Sequence, residues 1–182
     1  VGLSAVPCAL LTVSDTRRPE TDRSGAWLEA RLARAGHRVV GVAIVRDEPR
    51  AVRARLRTWA RERKARVVLI SGGTGIAPRD RTYEAVAGLL EKRLDGFGEL
   101  FRALSYKEIG AAAMLSRAVA GTWRGLVLFV MPGSPAAVRL AVETLILPEL
   151  GHVAGLLEPA ARRGPAAGTA SRRRSRTGAG RA

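Results

Sequence analysis

Val67-Val68-Leu69-Ile70-Ser71-Gly72-Gly73-Thr74-Gly75-Ile76-Ala77-Pro78-Arg79-Asp80 passes from an apolar, β-branched run into three glycines within four residues, and closes on a carboxylate. The run from Arg66 to Ile70 predicts a buried strand. Glycines let a backbone turn sharply and let its N–H groups approach an anion without a Cβ in the way. A new helical pattern begins near Thr82. Strand, glycine turn and helix start is the order in which open α/β sheets bind phosphorylated ligands. It is equally the order of a tight structural turn. The spacing matches neither the P-loop nor the Gly-x-Gly-x-x-Gly dinucleotide fingerprint.

Outward from this stretch, apolar runs and amphipathic stripes alternate. Ala5 to Val13 predicts a first strand, apolar on both faces and therefore parallel and central. A helix capped by Ser24 follows to about Ala35, with Trp27, Leu28, Leu32 and Ala35 on one face and Gly36 as its stop. Arg38 to Val45 predicts a second strand, and Arg50 to Arg63 a helix with Val52, Leu56, Trp59 and Ala60 as its stripe. Beyond the opening stretch, a helix from Thr82 carries Val86, Leu89, Leu90 and Leu94. Asp95 to Gly98 then reads as a turn, and 99–104 and 106–114 as two short helices. Ser116 to Gly121 predicts a short strand and Leu126 to Met131 a buried one. Ser134 then caps a helix over 136–147, with Pro135 in its first turn, and a final segment runs over 148–157. Trp123 reads as an exposed turn residue. The alternation predicts an α/β fold, a three-layer α/β/α sandwich around a mostly parallel sheet.

The chain of 182 residues fits one domain, which we place at residues 1–157. Residues 158–182 are rich in Ala, Gly, Arg and Ser and predict a disordered basic tail. From Pro159 onward there are seven arginines and no acid, nearly half of the net charge of +15. Such a tail reads as a solvated terminus or as an electrostatic arm for a polyanion; it lacks the interleaved aromatics of a base-stacking surface. Nucleic acid is therefore not the expected partner. Cys8 is the only cysteine, which excludes an intrachain disulfide and a cysteine-based metal cluster and suits a reducing cytoplasm. The apolar stretch at Ala5 to Val13 is too short to span a bilayer and has no basic leader, so we expect no signal peptide and no membrane partner.

Four loops follow the four apolar strands: Ser14-Asp15, Asp47-Glu48, Ser71 to Asp80, and Pro132 to Pro135. In a parallel sheet all four lie at one edge, where the ligand crevice forms. Two bring a carboxylate, Asp47 and Asp80, and two bring glycines. Carboxylates beside a phosphate cradle repel phosphates unless a cation lies between, and Mg²⁺ is commonly held by one or two carboxylates plus phosphate oxygens. Taken singly, Asp47 and Asp80 also fit as acids that favour the positive end of the following helix. His37 and His152 have no second histidine or cysteine beside them and are weak candidates.

The ordered series of short motifs resembles the MogA/MoaB family of molybdenum cofactor biosynthesis proteins. It comprises Leu11-Thr12-Val13-Ser14-Asp15, Asp22-Arg23-Ser24-Gly25, Ala35-Gly36-His37, Ile44-Val45-Arg46-Asp47, Ser71 to Gly75, Arg79-Asp80 with Thr82, and Gly96-Phe97-Gly98-Glu99 with Phe101-Arg102. Leu104-Ser105 with Glu108-Ile109-Gly110, Ser116-Arg117-Ala118-Val119-Ala120-Gly121 and Met131-Pro132-Gly133-Ser134 complete it. The Pro-Gly-Ser-Pro loop leans to the MoaB branch, and Tyr83 stands where such proteins usually carry proline. The resemblance implies the molybdenum cofactor biosynthesis protein fold and an Mg-ATP-dependent adenylylation of molybdopterin. It implies Asp47 and Asp80 as the required aspartates, placed at Mg²⁺ or substrate. Ser14, Ser71, Gly72, Gly73, Thr74, Gly75, Ser116, Pro132, Gly133 and Ser134 are implied to line the pterin and nucleotide pocket. A homo-trimer or hexamer and a downstream molybdenum-insertion protein are implied as partners. The alternative within the same pathway is a molybdopterin-binding or carrier protein without turnover.

Overall fold

The computed structural model describes residues 4–157; the tail expected over 158–182 lies outside them. Six strands form one sheet in the order β2-β1-β3-β6-β5-β4. β1 (Pro7–Val13), β2 (Arg38–Val45), β3 (Val67–Ser71) and β6 (Leu126–Met131) are parallel. β5 (Val119–Trp123) runs antiparallel to β6, and β4 (Lys92–Arg93) antiparallel to β5.

The central strands are apolar except at Thr12 and Ser71, because both faces are covered. Their side chains divide with period two. Cys8, Leu10, Val67, Leu69, Val127, Phe129 and Met131 enter one core. There they meet α1 (Arg23–Arg34), α4 (Asp95–Ile109), α5 (Pro135–Ala141) and α6 (Leu147–Leu156). Ala9, Leu11, Val13, Val68, Ile70, Leu128 and Val130 enter the other core, under α2 (Pro49–Glu62) and α3 (Thr82–Ala87). Each such Leu, Ile or Phe contributes roughly 1.5–3 kcal/mol by leaving water. Cys8 is wholly buried, and burial pushes its thiol up to about 12, so it is a core residue and unreactive.

The structure corrects the expected elements at several points. Asp22, not Ser24, caps α1: its Oδ1 accepts the Gly25 N–H at 3.0 Å, while the Thr12 hydroxyl donates to its other oxygen. The pair is buried, so the cap also satisfies a polar group inside the sheet. α3 stops at Ala87, and the chain then adds strand β4, whose two charged residues carry no apolar period to reveal them. Residues 95–109 form one helix rather than a turn and separate helices, and a 3₁₀ segment over Gly110–Leu115 follows. Gly98 serves packing there: a Cβ would come within 2.6 Å of the Ala118 carbonyl oxygen. At the C-terminal end, the helix expected over 136–147 ends as α5 and passes through a π-helical turn, Val142–Ile146, into α6, which takes up the final segment expected over 148–157. Trp123 is buried at 6% exposure. His37 is half-buried, its Nδ1 accepting the Val6 N–H at 3.2 Å, and burial first, then the Arg31 charge, hold it below its ordinary range. A neutral ring is what this acceptor role requires. No described helix is long and apolar enough to cross a membrane.

Candidate active site

Because β1, β2, β3 and β6 are parallel, the four loops expected at one edge do meet there. The glycine loop after β3 leaves the sheet through Gly72 (φ +105°) and Gly73 (φ +62°), conformations open to glycine. A Cβ on Gly72 would strike the Val13 carbonyl, and one on Gly73 would strike Thr82 Oγ1 and Asp47 Oδ2. A Cβ on Gly75 would strike Asp80 Oδ2. The glycines therefore let both aspartates lie against the loop backbone. The Pro132–Ser134 loop packs on the same turn, with Gly133 against the Gly72 backbone. Ser134 caps α5 as expected, its Oγ accepting the Ala137 N–H at 3.3 Å.

Asp47 Oδ1 accepts the Arg81 N–H at 3.1 Å and the Thr82 hydroxyl at 3.2 Å. Asp80 Oδ2 accepts the Ala77 N–H at 2.9 Å. The second oxygen of each, Asp47 Oδ2 and Asp80 Oδ1, accepts no hydrogen bond among the described residues. Asp15 supports Asp47 from behind, taking its N–H at 3.2 Å. No group of three or more His, Cys, Asp or Glu side chains among the described residues forms a ready metal cage. Mg²⁺ does not need one when phosphate oxygens complete its shell.

Burial holds the Asp47 carboxyl above its ordinary range; the Arg81 N–H and the Thr82 hydroxyl oppose this, and the charges of Asp80 and Asp15 add to it. A raised carboxyl binds its proton more tightly folded than unfolded. Its ionised form therefore costs stability once pH has risen through the window between the two values. Asp47→Asn keeps an acceptor oxygen for Arg81 and Thr82 and removes the charge. We expect it to melt higher than wild type at pH 7, by roughly 2 °C given the solvent screening of a half-exposed group. The gain should vanish at pH 3, where both forms are neutral. Calorimetry at the two pH values checks this; a lower melting point at pH 7 would contradict it.

Two cavities meet at Gly73 and Asp80. A polar one of about 150 Å³ is lined by Ser14, Asp15, Thr16, Asp47, Arg79 and the shared pair. The other, about 310 Å³, runs over Thr74, Gly75, Phe101, Ser105, Leu115, Ser116 and the Pro132–Ser134 loop. Ser116 Oγ is buried there with no partner among the described residues. A buried hydroxyl left unpaired costs about 1–3 kcal/mol, so its place on a cavity wall points to a ligand atom. Of the residues singled out from sequence, Ser71 and Gly72 line neither cavity; Ser71 ends β3 inside the sheet, and Gly72 turns the chain against the Val13 carbonyl. A larger cavity of about 580 Å³, among Arg63, Arg66 and Arg124, lies at the opposite edge, away from both glycine loops.

Three residues that hold the site had no role in it assigned from sequence. Arg17 donates to the Gly133 carbonyl at 2.9 Å, Ser24 donates to the same oxygen at 3.2 Å, and Arg117 donates to the glycine loop itself. In an arginine-rich chain neither guanidinium is distinguishable by type. Arg117 stood only as a member of the Ser116–Gly121 motif, beside Ser116.

A crevice at the carboxyl ends of parallel strands, built from a glycine loop, a Pro-Gly loop and paired carboxylates, defines a class of protein that binds anionic ligands at a sheet edge. The family described as "Probable molybdopterin binding domain" matches residues 9–152, and the chain belongs to it. Its relatives include the molybdenum cofactor biosynthesis protein B of Bacillus cereus, 52% identical over 149 residues, covering 81% of this chain and 88% of that one. A crystal structure of a molybdenum cofactor biosynthesis protein B superposes with a TM-score of 0.81 at 51% identity, covering 84% of this chain and 95% of that one. The tungsten cofactor synthesizing protein MoaB from Pyrococcus furiosus superposes at 0.74 with 35% identity, covering 85% and 98%. The chain is thus a member of the MoaB/MogA family of molybdenum cofactor biosynthesis, similar to its B branch.

Proposed function

We propose that the protein adenylylates molybdopterin with Mg-ATP. The observation that carries this reading is the junction at Gly73 and Asp80, where a carboxylate-bearing polar cavity opens onto a glycine-lined one. The larger cavity, with Phe101, Leu115 and the unpartnered Ser116 hydroxyl, suits a flat heterocycle carrying polar edges. The polar cavity suits a triphosphate only if its carboxylates are neutralised.

In the reaction, a terminal phosphate oxygen of molybdopterin attacks the α-phosphorus of ATP. The bond from that phosphorus to the α,β-bridging oxygen breaks, and pyrophosphate leaves with the electron pair. The nucleophile is already ionised, so no strong general base is required; the protein's part is positioning and charge compensation. Asp47 and Asp80, each with a carboxylate oxygen left free, would hold Mg²⁺. The ion would neutralise phosphate charge when bound. Thr82, Arg81 and Ala77 keep the two aspartates oriented through their hydrogen bonds.

The same reading includes self-association as a trimer or hexamer and handover to a molybdenum-inserting protein. Support for self-association comes from the apolar side chains exposed beside the larger cavity, among them Ile109 at 58% and Met114 at 76%.

Purified full-length protein, molybdopterin and Mg-ATP should yield pyrophosphate and adenylylated pterin in equal amounts. Binding of molybdopterin without either product would replace the enzyme by a carrier. Failure to bind the pterin would remove both readings.

A further inference from the structure

Arg117 stands at the entry to β5, half-buried at 26% side-chain exposure, with its guanidinium against the glycine loop. Its Nε donates to the Thr74 carbonyl at 3.2 Å, and its Nη2 donates to the carbonyls of Asp80, at 3.0 Å, and Gly75. Its Nη1 pairs with Glu84, and its Cζ lies 5.1 Å from the Tyr83 ring centroid. Every face of the fork is thus occupied by the loop or by the first turn of α3.

A trans peptide sets its C=O and N–H in opposite directions. Three carbonyls gathered on one guanidinium therefore turn three N–H groups away from it: those of Gly75, Ile76 and Arg81. The Arg81 N–H is the donor to Asp47 Oδ1 at 3.1 Å. Those of Gly75 and Ile76 reach no acceptor among the described residues, and Gly75 lines the larger cavity. A backbone N–H left free at a cavity wall in this way is a donor for an anion. Like-charged neighbours would otherwise let the loop relax, because Asp47 and Asp80 repel one another across it.

We propose that Arg117 is the positioning residue of this site: it holds the 74–81 backbone so that free N–H groups face a ligand anion and Asp47 keeps its donor. It touches no reacting atom. The proposal rests on the ligand reading above for what the loop holds, but its structural half stands without it. Lysine, a point charge with three donors and no planar fork, cannot span three carbonyls and a carboxylate together.

The test compares full-length wild type, Arg117→Ala and Arg117→Lys by hydrogen exchange of the 74–81 amides and by Mg-ATP affinity, with and without low guanidinium ion. Losing charge-assisted hydrogen bonds should speed exchange of the hydrogen-bonded Ala77, Asp80 and Arg81 amides by roughly tenfold or more in Arg117→Ala while β6 stays protected. Mg-ATP should bind roughly tenfold more weakly, with added guanidinium restoring part of the affinity and Arg117→Lys falling between. Unchanged exchange at 74–81 in both variants overturns the proposal. So does faster exchange with wild-type affinity and no response to guanidinium. If wild type itself binds no Mg-ATP, the nucleotide reading fails, and the exchange comparison alone upholds or overturns the role of Arg117.

Discussion

Asp80→Asn is expected to lower kcat for adenylylation by roughly a hundredfold or more while the protein stays folded. The substitution keeps the shape of the side chain and leaves an oxygen to accept the Ala77 N–H, held at 2.9 Å in the native loop. What it removes is the charge on the oxygen that has no protein partner. Asp80 belongs to both cavities, so that charge lies where ligand phosphates and the polar cavity meet. Its loss also relieves repulsion against Asp47, so the melting temperature should stay within a few degrees of wild type. The combination of lost turnover and retained stability separates a functional carboxylate from one that merely starts α3. Turnover and thermal melting on the same preparation give the answer. A variant that turns over like wild type would remove Asp80 from the chemistry, and one that unfolds would make it structural.

Gly72→Ala carries the largest expected cost to folding, roughly 3 kcal/mol or more, or about 10 °C in melting temperature. Two effects coincide at Gly72. The backbone sits at φ +105°, where an L side chain is strained, and the added methyl meets the Val13 carbonyl. Val13 lies in β1, between β2 and β3, so that carbonyl cannot yield. Gly125→Ala is the control: φ is +78° there as well, but nothing lies within 4 Å of the added Cβ. It should cost only the backbone term, about 1–2 kcal/mol. Equal melting temperatures for the two variants would show that the contact with Val13 is not decisive.

Much of this site was legible one residue type at a time. The apolar runs of β1, β3 and β6 announce strands covered on both faces, and α/β alternation then places their following loops at one edge. Asp47, Asp80 and the two glycine loops follow from that placement. The arginines that hold the loops were not legible. Arg17 and Arg117 act on backbone carbonyls, an interaction with no pattern in sequence, and both are hidden among many arginines. β4 was missed for a related reason: two charged residues become a strand only because β5 offers its edge. Asp22 and Ser24 show the same limit, since both types cap helices and only the buried Thr12 decides between them.

Local chemistry in the chain therefore determined the strands, the turn after β3 and the residue types gathered around it, because period and glycine content act over a few neighbours. Tertiary structure decided which atoms of those residues are free. It left Asp47 Oδ2, Asp80 Oδ1 and the Ser116 hydroxyl without protein partners, and it spent the donors of Arg117 on the loop. Hydrogen-bond satisfaction depends on groups brought together from distant parts of the chain, and only the folded sheet edge assembles them.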